Sequence, residues 1–133
     1  MIETDDIFLA KAQEALAGAE SEYINGRYNN CANRCYYSTF QAAVHALDTA
    51  GIVSRSGSSG TWSHEALHAE FAGQLINRRK RYPSELRSVL LRNQALRNTA
   101  DYERHWVTDV QALRALGRTR DFVEAVRRGD RTT

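Results

Sequence analysis

Apolar residues recur every three or four positions along most of the chain, and no segment alternates with a period of two. This spacing gathers the apolar side chains on one face of a helix and predicts five amphipathic helices. The predicted helices cover about residues 4–24, 28–50, 63–81, 83–102 and 108–128. Helices of this length with short connections favour an all-α fold, an antiparallel four- to five-helix up-and-down bundle.

Residue types that stop and start helices support these boundaries. Asn25-Gly26 and Gly51 follow the first and second apolar stripes, as helix-ending residues do. Ser63 is a good N-cap for the third helix, and Thr108 with Gln111 forms the pattern of a capping box. Pro83 fits the first turn of the fourth helix.

The composition is that of one globular domain. The chain has 133 residues, of which 42% are hydrophobic and 26% are charged. We expect residues 1–133 to form a single domain with a flexible Ser/Gly loop at about 53–62. The N-terminus lacks a basic and apolar leader and no apolar run is long enough for a membrane span, so we expect a cytoplasmic protein with no membrane association.

Two cysteines lie four residues apart in the second predicted helix. Cys31 and Cys35 share a helix face in a geometry that is poor for a disulfide bond. We expect small reduced thiols, with a redox or metal-binding pair as the alternative.

Charge is distributed unevenly along the chain. Residues 1–77 carry four basic and nine acidic residues, whereas residues 78–133 carry fourteen basic and seven acidic ones, for a net charge of +2. This asymmetry indicates either a polyanionic partner such as nucleic acid or ion pairing between the two halves. The densest basic run is Arg78, Arg79, Lys80 and Arg81.

Polar residues interrupt the apolar stripe of the fourth predicted helix. Asn93 and Arg97 fall among leucines on the same face, where unpaired polar groups are costly. Asp101 lies one helical turn after Arg97 and is placed to form an ion pair with it. The pair is either a structural salt bridge or part of an anion-binding or catalytic groove.

Three segments carry a family resemblance. Residues 97–102 read R-N-T-A-D-Y and resemble the R-x-x-A-D-Y signature of HEPN domains, which are small all-helical prokaryotic proteins. The second helix, with C-Y-Y-S-T-F at 35–40, and Trp62-Ser63-His64 resemble two further HEPN segments. Order and spacing agree over about residues 5–128.

The resemblance implies a helical bundle that is commonly a homodimer. It also implies pairing with a nucleotidyltransferase in a toxin–antitoxin or defence module. Active HEPN proteins are endoribonucleases that need no metal or other cofactor and carry an R-x4-6-H motif. Arg97 matches the arginine, but Tyr102 occupies the x4 histidine position and His105 lies one residue beyond the range.

The resemblance therefore implies an RNA or nucleotide ligand but leaves catalysis open. In the ribonuclease interpretation, Arg97 contacts phosphate, Asp101 orients Arg97, and Tyr102 and His105 are the candidate acid, base or stacking groups. The residues expected to contact or attract nucleic acid are Asn93, Asn98, Arg104, Arg78, Arg79, Lys80 and Arg81. The alternative is a non-catalytic interaction module that binds a nucleotidyltransferase.

A second motif gives a minor alternative. His64-Glu65-Ala66-Leu67-His68 is an H-E-x-x-H string, which on a helix binds zinc with two histidines while the glutamate activates water. It lies in the first turn of a helix next to the loop, and the sequence offers no obvious third ligand. A zinc hydrolase that uses His64 and His68 is therefore the weakest of the three hypotheses.

Overall fold

The computed structural model describes residues 7–54 and 61–130. Its helices are α1 (Ile7–Ile24), α2 (Tyr28–Thr49), α3 (His64–Glu70), α4 (Glu85–Tyr102) and α5 (Asp109–Arg128), and α3 continues directly as a π-helical segment, Phe71–Arg78. The ranges that are described contain no strand. The prediction of an all-α helical bundle is confirmed.

Helix α2 is the centre of the bundle because it packs against α1, α4 and α5. One group of buried side chains surrounds its C-terminal half and includes Leu47, Phe71 and Phe122. A second group surrounds its N-terminal half and includes Cys35 and Leu116. The core therefore runs along the whole length of α2. The side chains of α2 determine which residues of the neighbouring helices lie close to one another.

The helix ends follow the sequence signals. Gly51 adopts a left-handed conformation (φ 77°), and its N–H donates to the Asp48 carbonyl, which closes α2. The Ser63 side chain accepts from the Ala66 N–H at 3.1 Å. Thr108 forms the predicted capping box, with both reciprocal bonds to Gln111 present. These contacts fix where α2 ends and where α3 and α5 begin.

Two boundaries differ from the prediction. Helix α4 begins at Glu85 rather than at Pro83, because Pro83 and Ser84 form a turn that precedes the helix. The third helix widens after Glu70, since the Arg79 N–H donates to the Gln74 carbonyl five residues earlier. The predicted start of the first helix and residues 55–60 of the Ser/Gly loop lie outside the described residues.

The two cysteines are free thiols, and both are completely buried. They contribute to the core beside α5 rather than to an exposed site. None of the helices in residues 7–54 and 61–130 has the length and apolar content that crossing a bilayer requires.

Candidate functional site

Arg97 lies at the centre of a polar cluster on the inner face of α4. Its side chain is only 19% exposed, and its guanidinium carbon lies 5.2 Å from the ring centroid of Tyr36 and 5.7 Å from that of Tyr37. Guanidinium groups at these distances are attracted to aromatic rings. Helix α2 therefore supplies an aromatic platform that holds the Arg97 charge in a fixed place.

The predicted pairing of Arg97 with Asp101 is present. The Arg97 Nε and the Asp101 carboxylate are 3.4 Å apart, and the Asn33 amide donates to the same carboxylate at 2.6 Å. The Arg97 Nε is buried and has no hydrogen-bond partner among the residues that the structure describes. Charge and stacking thus hold the guanidinium, and its donors are not saturated by protein acceptors.

His64 approaches the same aromatic platform from the first turn of α3. Its Nδ1 shares a hydrogen bond with the Tyr36 hydroxyl, and the two ring centroids are 5.3 Å apart. Phe40 meets the His64 ring edge-on at 5.2 Å. Burial, reinforced by the charge of Arg97, lowers the pKa of His64 from its ordinary value of 6.5. The imidazole is therefore neutral at pH 7.

Tyr36 connects the two charged or titratable groups. Its side chain is buried, and burial raises the pKa of its hydroxyl to about 12 despite the opposing effect of Arg97. The phenol is neutral at any physiological pH, so it can orient His64 by a hydrogen bond but cannot serve as a base. The guanidinium of Arg97, on α4, and the neutral imidazole of His64, on α3, thus both contact the buried Tyr36 side chain.

His68 lies one turn beyond His64 and faces the same ring at 6.5 Å between centroids. Burial, and then the neighbouring His64, lower the pKa of His68. Its Nε2 is buried without a hydrogen-bond partner in the described part of the chain. Histidine nitrogens, the guanidinium and the Asp101 carboxylate therefore form one cluster that can bind an anion and accept a proton.

The structure places the two histidines of the H-E-x-x-H motif in this cluster, and the described residues around them form no zinc site. His64 uses Nδ1 toward Tyr36. Within residues 7–54 and 61–130, no group of three or more His, Cys, Asp or Glu side chains is placed to hold a metal ion. The two histidines are better explained as partners of Tyr36 and Arg97.

Other residues predicted for the site lie away from it. Tyr102 is 75% exposed at the last position of α4, and Arg104 and His105 are exposed in the turn that follows. Asn98 is exposed beside Arg97 on the outer side of the helix. The side chains that contact Arg97 come instead from α2 and from Asp101, because α2 crosses α4 at this level.

Asn93 is a correction to the predicted groove. It is 1% exposed, and its amide nitrogen donates to the Thr119 hydroxyl at 2.9 Å while its carbonyl oxygen accepts from Arg118 Nε at 2.7 Å. Weaker contacts reach Thr39 and the Cys35 carbonyl. The polar interruption of the α4 stripe at this position is a satisfied core amide rather than a surface that nucleic acid can reach.

The basic run is also separate from Arg97. Arg79 donates to the carbonyl of Ala50 at the C-terminal end of α2, whereas Arg97 lies over Tyr36. Fourteen residues of α2 separate these levels, which is about 20 Å at 1.5 Å per residue. The neighbouring residues Arg78, Lys80 and Arg81 are exposed at that same end of the bundle. Any attraction of nucleic acid by this run acts at a distance from the cluster.

Tyr36, Tyr37 and Asn33 were not predicted as site residues. Tyr36 recurs at helical spacing with the apolar residues of α2, and its ring is buried. The available signal was the pair of adjacent tyrosines on one helix and an arginine on the apolar stripe of another. Only the tertiary packing of α2, α3 and α4 joins Arg97 to His64.

The comparison with protein families agrees with this architecture. The family model of the HEPN domain matches residues 6–129, which is nearly the whole chain. None of the curated proteins matches. A HEPN domain indicates a nucleotide-binding or ribonuclease-type function. The match covers every helix of the bundle and all residues of the cluster, and the chain belongs to the HEPN domain family.

Proposed function

We propose that this HEPN domain binds RNA at Arg97 and cleaves it without a metal ion, with His64 as the general base. The observation that carries the proposal is the convergence of Arg97 and His64 on Tyr36. The guanidinium contacts the tyrosine ring and Nδ1 of the imidazole contacts the hydroxyl. In phosphodiester cleavage by an internal nucleophile, a neutral imidazole can take the proton of the nucleophile and a fixed cation can stabilise the negative charge that develops on the phosphate.

Arg97 would bind the non-bridging oxygens of the scissile phosphate. Its buried Nε faces the Asp101 carboxylate at 3.4 Å, so the Nη groups would meet the ligand, and its charge is held by stacking on Tyr36 and Tyr37. A planar guanidinium presents several N–H groups that match phosphate oxygens. The negative charge that grows on the phosphate in the transition state is stabilised by these donors without a rearrangement of the site.

His64 would take the proton from the RNA 2′-hydroxyl. In the tautomer that this role needs, Nδ1–H donates to the Tyr36 oxygen, and the unprotonated Nε2 acts as the base. The 2′-oxygen then forms a bond to phosphorus as the bond to the 5′-oxygen breaks, and water protonates the departing oxygen. The products are a 2′,3′-cyclic phosphate and a 5′-hydroxyl end, and the imidazolium returns its proton to solvent.

The test is RNA cleavage in EDTA at low salt. His64→Asn should lower the rate by about 10²- to 10⁴-fold, as expected for loss of a general base. Arg97→Ala should lower it by about 10²- to 10³-fold. Arg114→Ala, which removes an exposed arginine of α5, is the matched control and should cleave like the wild type.

Two outcomes would overturn the catalytic role of this cluster. If His64→Asn retains full activity while His105→Ala or Tyr102→Phe abolishes it, the base belongs to the end of α4, as the R-x4-6-H comparison suggested. If wild-type protein binds RNA through Arg97 but never cleaves it, the domain is a binding module.

We further propose, from the family resemblance, that the chain is the RNA-cleaving toxin of a toxin–antitoxin module, acts as a homodimer and is neutralised by a nucleotidyltransferase partner. Expression in a bacterial host should arrest growth with the wild type and not with Arg97→Ala. Co-expression of a nucleotidyltransferase encoded beside this gene should restore growth. Growth that is unaffected by the wild type would contradict the toxin role.

A further inference from the structure

A second candidate site lies about two helical turns from Arg97, where the α1–α2 turn meets the α4–α5 loop. It is a cavity of about 440 Å³ lined by residues 26–30 together with Trp106 and Val107. The Trp106 side chain is 79% exposed, although indole is among the largest apolar groups that a chain can bury. The exposed indole of a tryptophan that lines a cavity offers a surface on which a flat aromatic ligand can stack.

The backbone at Trp106 is held in place although the side chain is exposed. The side-chain Oδ1 of Asn29 accepts from the N–H of Val107 at 2.9 Å, and the side-chain Nδ2 of Asn29 donates to the Ala100 carbonyl at 3.3 Å. Val107 is buried in the core. Asn29 of α2 thus holds both the end of α4 and the segment after Trp106, so the indole is presented from an anchored backbone.

The α1–α2 side of the cavity combines an aromatic ring with hydrogen-bonding groups. Tyr28 is partly buried and held by Tyr23, whose ring centroid is 5.6 Å away. Glu22 accepts from Arg27 Nε at 2.9 Å and from the Asn30 amide at 3.1 Å. These bonds leave the Arg27 Nη groups and the Asn30 carbonyl oxygen as donors and an acceptor for a ligand.

The charge of the cavity favours a neutral ring over a phosphate. Bonds from Asn30 and Arg27 lower the pKa of Glu22, so its carboxylate is ionised and offsets the charge of Arg27. Glu22 lies outside the lining of the cavity but pairs with Arg27, so the cavity offers a phosphate little net positive charge. A nucleobase needs only stacking surfaces and polar groups at its edges, which Trp106, Tyr28 and the Arg27–Asn30 pair supply.

The cavity and the Arg97 cluster share one face of α2. Asn29, Asn33 and Tyr36 follow one another at helical spacing, and Asn33 donates to the Asp101 carboxylate that pairs with Arg97. The seven residues from Asn29 to Tyr36 span about 10 Å. Three stacked nucleotides of a single strand cover about the same length at 3.4 Å each.

We propose that this cavity binds a nucleobase of single-stranded RNA by stacking it on Trp106 and Tyr28, while Arg97 holds a phosphate about three nucleotides away. This inference rests on the proposed function, which identifies the bound strand as RNA. Trp106 is then a positioning residue that determines which part of a strand reaches Arg97.

The experiment measures binding of a labelled 2′-O-methyl hexanucleotide, which has no 2′-hydroxyl to attack and cannot be cleaved. A matched oligonucleotide with the same phosphates contains abasic positions. Trp106→Ala should weaken binding of the base-containing strand by about 5- to 100-fold and leave the abasic strand unchanged. Trp106→Phe should recover most of the affinity. Val53→Ala, at a comparably exposed apolar position (76%), is the control for lost surface hydrophobicity.

Fluorescence gives an independent measurement. In a Trp62→Phe background Trp106 is the only tryptophan, and its emission should be quenched saturably by the base-containing strand alone. Equal weakening of both strands by Trp106→Ala would overturn the proposal. So would quenching that depends on protein concentration without RNA, since a second copy of the chain would then cover the indole.

Failure of this proposal is distinguishable from failure of the proposed function. Loss of cleavage in Arg97→Ala with no base preference at Trp106 supports the ribonuclease and rejects the cavity. A Trp106-dependent preference for bases in a protein that never cleaves RNA supports the cavity and rejects catalysis.

Discussion

The hydroxyl of Tyr36 on α2 and Nδ1 of His64 on α3 share a hydrogen bond across 28 residues of sequence. The bond uses one of the two imidazole nitrogens and orients the ring so that only the other can meet a ligand. It also ties the start of α3 to the centre of the bundle.

Tyr36→Phe removes this bond but keeps the ring under Arg97. We expect the rate of RNA cleavage to fall roughly five- to tenfold, which corresponds to one hydrogen bond of about 1–1.5 kcal/mol. RNA affinity should be unchanged, because the stacking of Arg97 does not need the hydroxyl. Single-turnover rates measured beside equilibrium binding separate the two effects, and a parallel loss of affinity would contradict the orienting role.

Stability should depend on pH through His64 and His68. Burial is the first cause that lowers the pKa of each below the ordinary value of 6.5. The unfolded chain therefore binds more protons between pH 6.5 and the folded-state pKa values, so the free energy of unfolding falls as the pH decreases through this range. It should not change through these groups above about pH 7.5. Urea unfolding at several pH values measures the slope.

His68→Gln should reduce that slope, because it removes the more deeply buried of the two imidazoles. An identical slope in the variant and in the wild type would show that other groups cause the pH dependence.

Asn93→Ala should destabilise the fold by about 2–3 kcal/mol. The substitution leaves the Thr119 hydroxyl and Arg118 Nε without their buried partner and opens a small cavity. Asn98→Ala, at an exposed position of the same helix, is the control and should change stability by less than about 0.5 kcal/mol. Urea unfolding measures both, and equal effects would show that the core network contributes little.

Asp101→Asn tests whether the ion pair orients Arg97. The pair is partly exposed, so we expect a loss of less than about 1 kcal/mol in stability. The rate of cleavage should fall by about three- to tenfold, because the carboxylate no longer fixes the guanidinium. RNA affinity should stay equal or increase, since a negative charge beside the phosphate is removed. A loss of affinity with an unchanged rate would oppose this role.

The helices and several of their contacts could be predicted from sequence because their causes are local. Ser63 and Thr108 act as caps through residues three positions away, and Arg97 meets Asp101 one turn along α4. The same periodicity placed Asn93 on the inner face of α4. It did not show that Thr119 and Arg118 of α5 would satisfy the amide, because that requires the position of another helix.

The composition of the candidate site could not be predicted for the same reason. The R-x-x-A-D-Y resemblance identified Arg97 and Asp101 but directed attention along the helix to Tyr102 and His105. His64 lies 33 positions before Arg97, and both reach Tyr36 only because α3 and α4 both pack against α2. The H-E-x-x-H motif identified His64 and His68, but as zinc ligands rather than as partners of Tyr36.

The π-helical segment Phe71–Arg78 has a consequence for changes in chain length. Each of its hydrogen-bonded turns holds one more residue than an α-helical turn, so the segment contains a residue in surplus. Gly73 is exposed, and a side chain there would meet no neighbouring atom. Deletion of Gly73 should let the segment rewind as an α-helix with His64 and Arg97 in place. The connection between His64 and Arg97 can thus tolerate the loss of a residue.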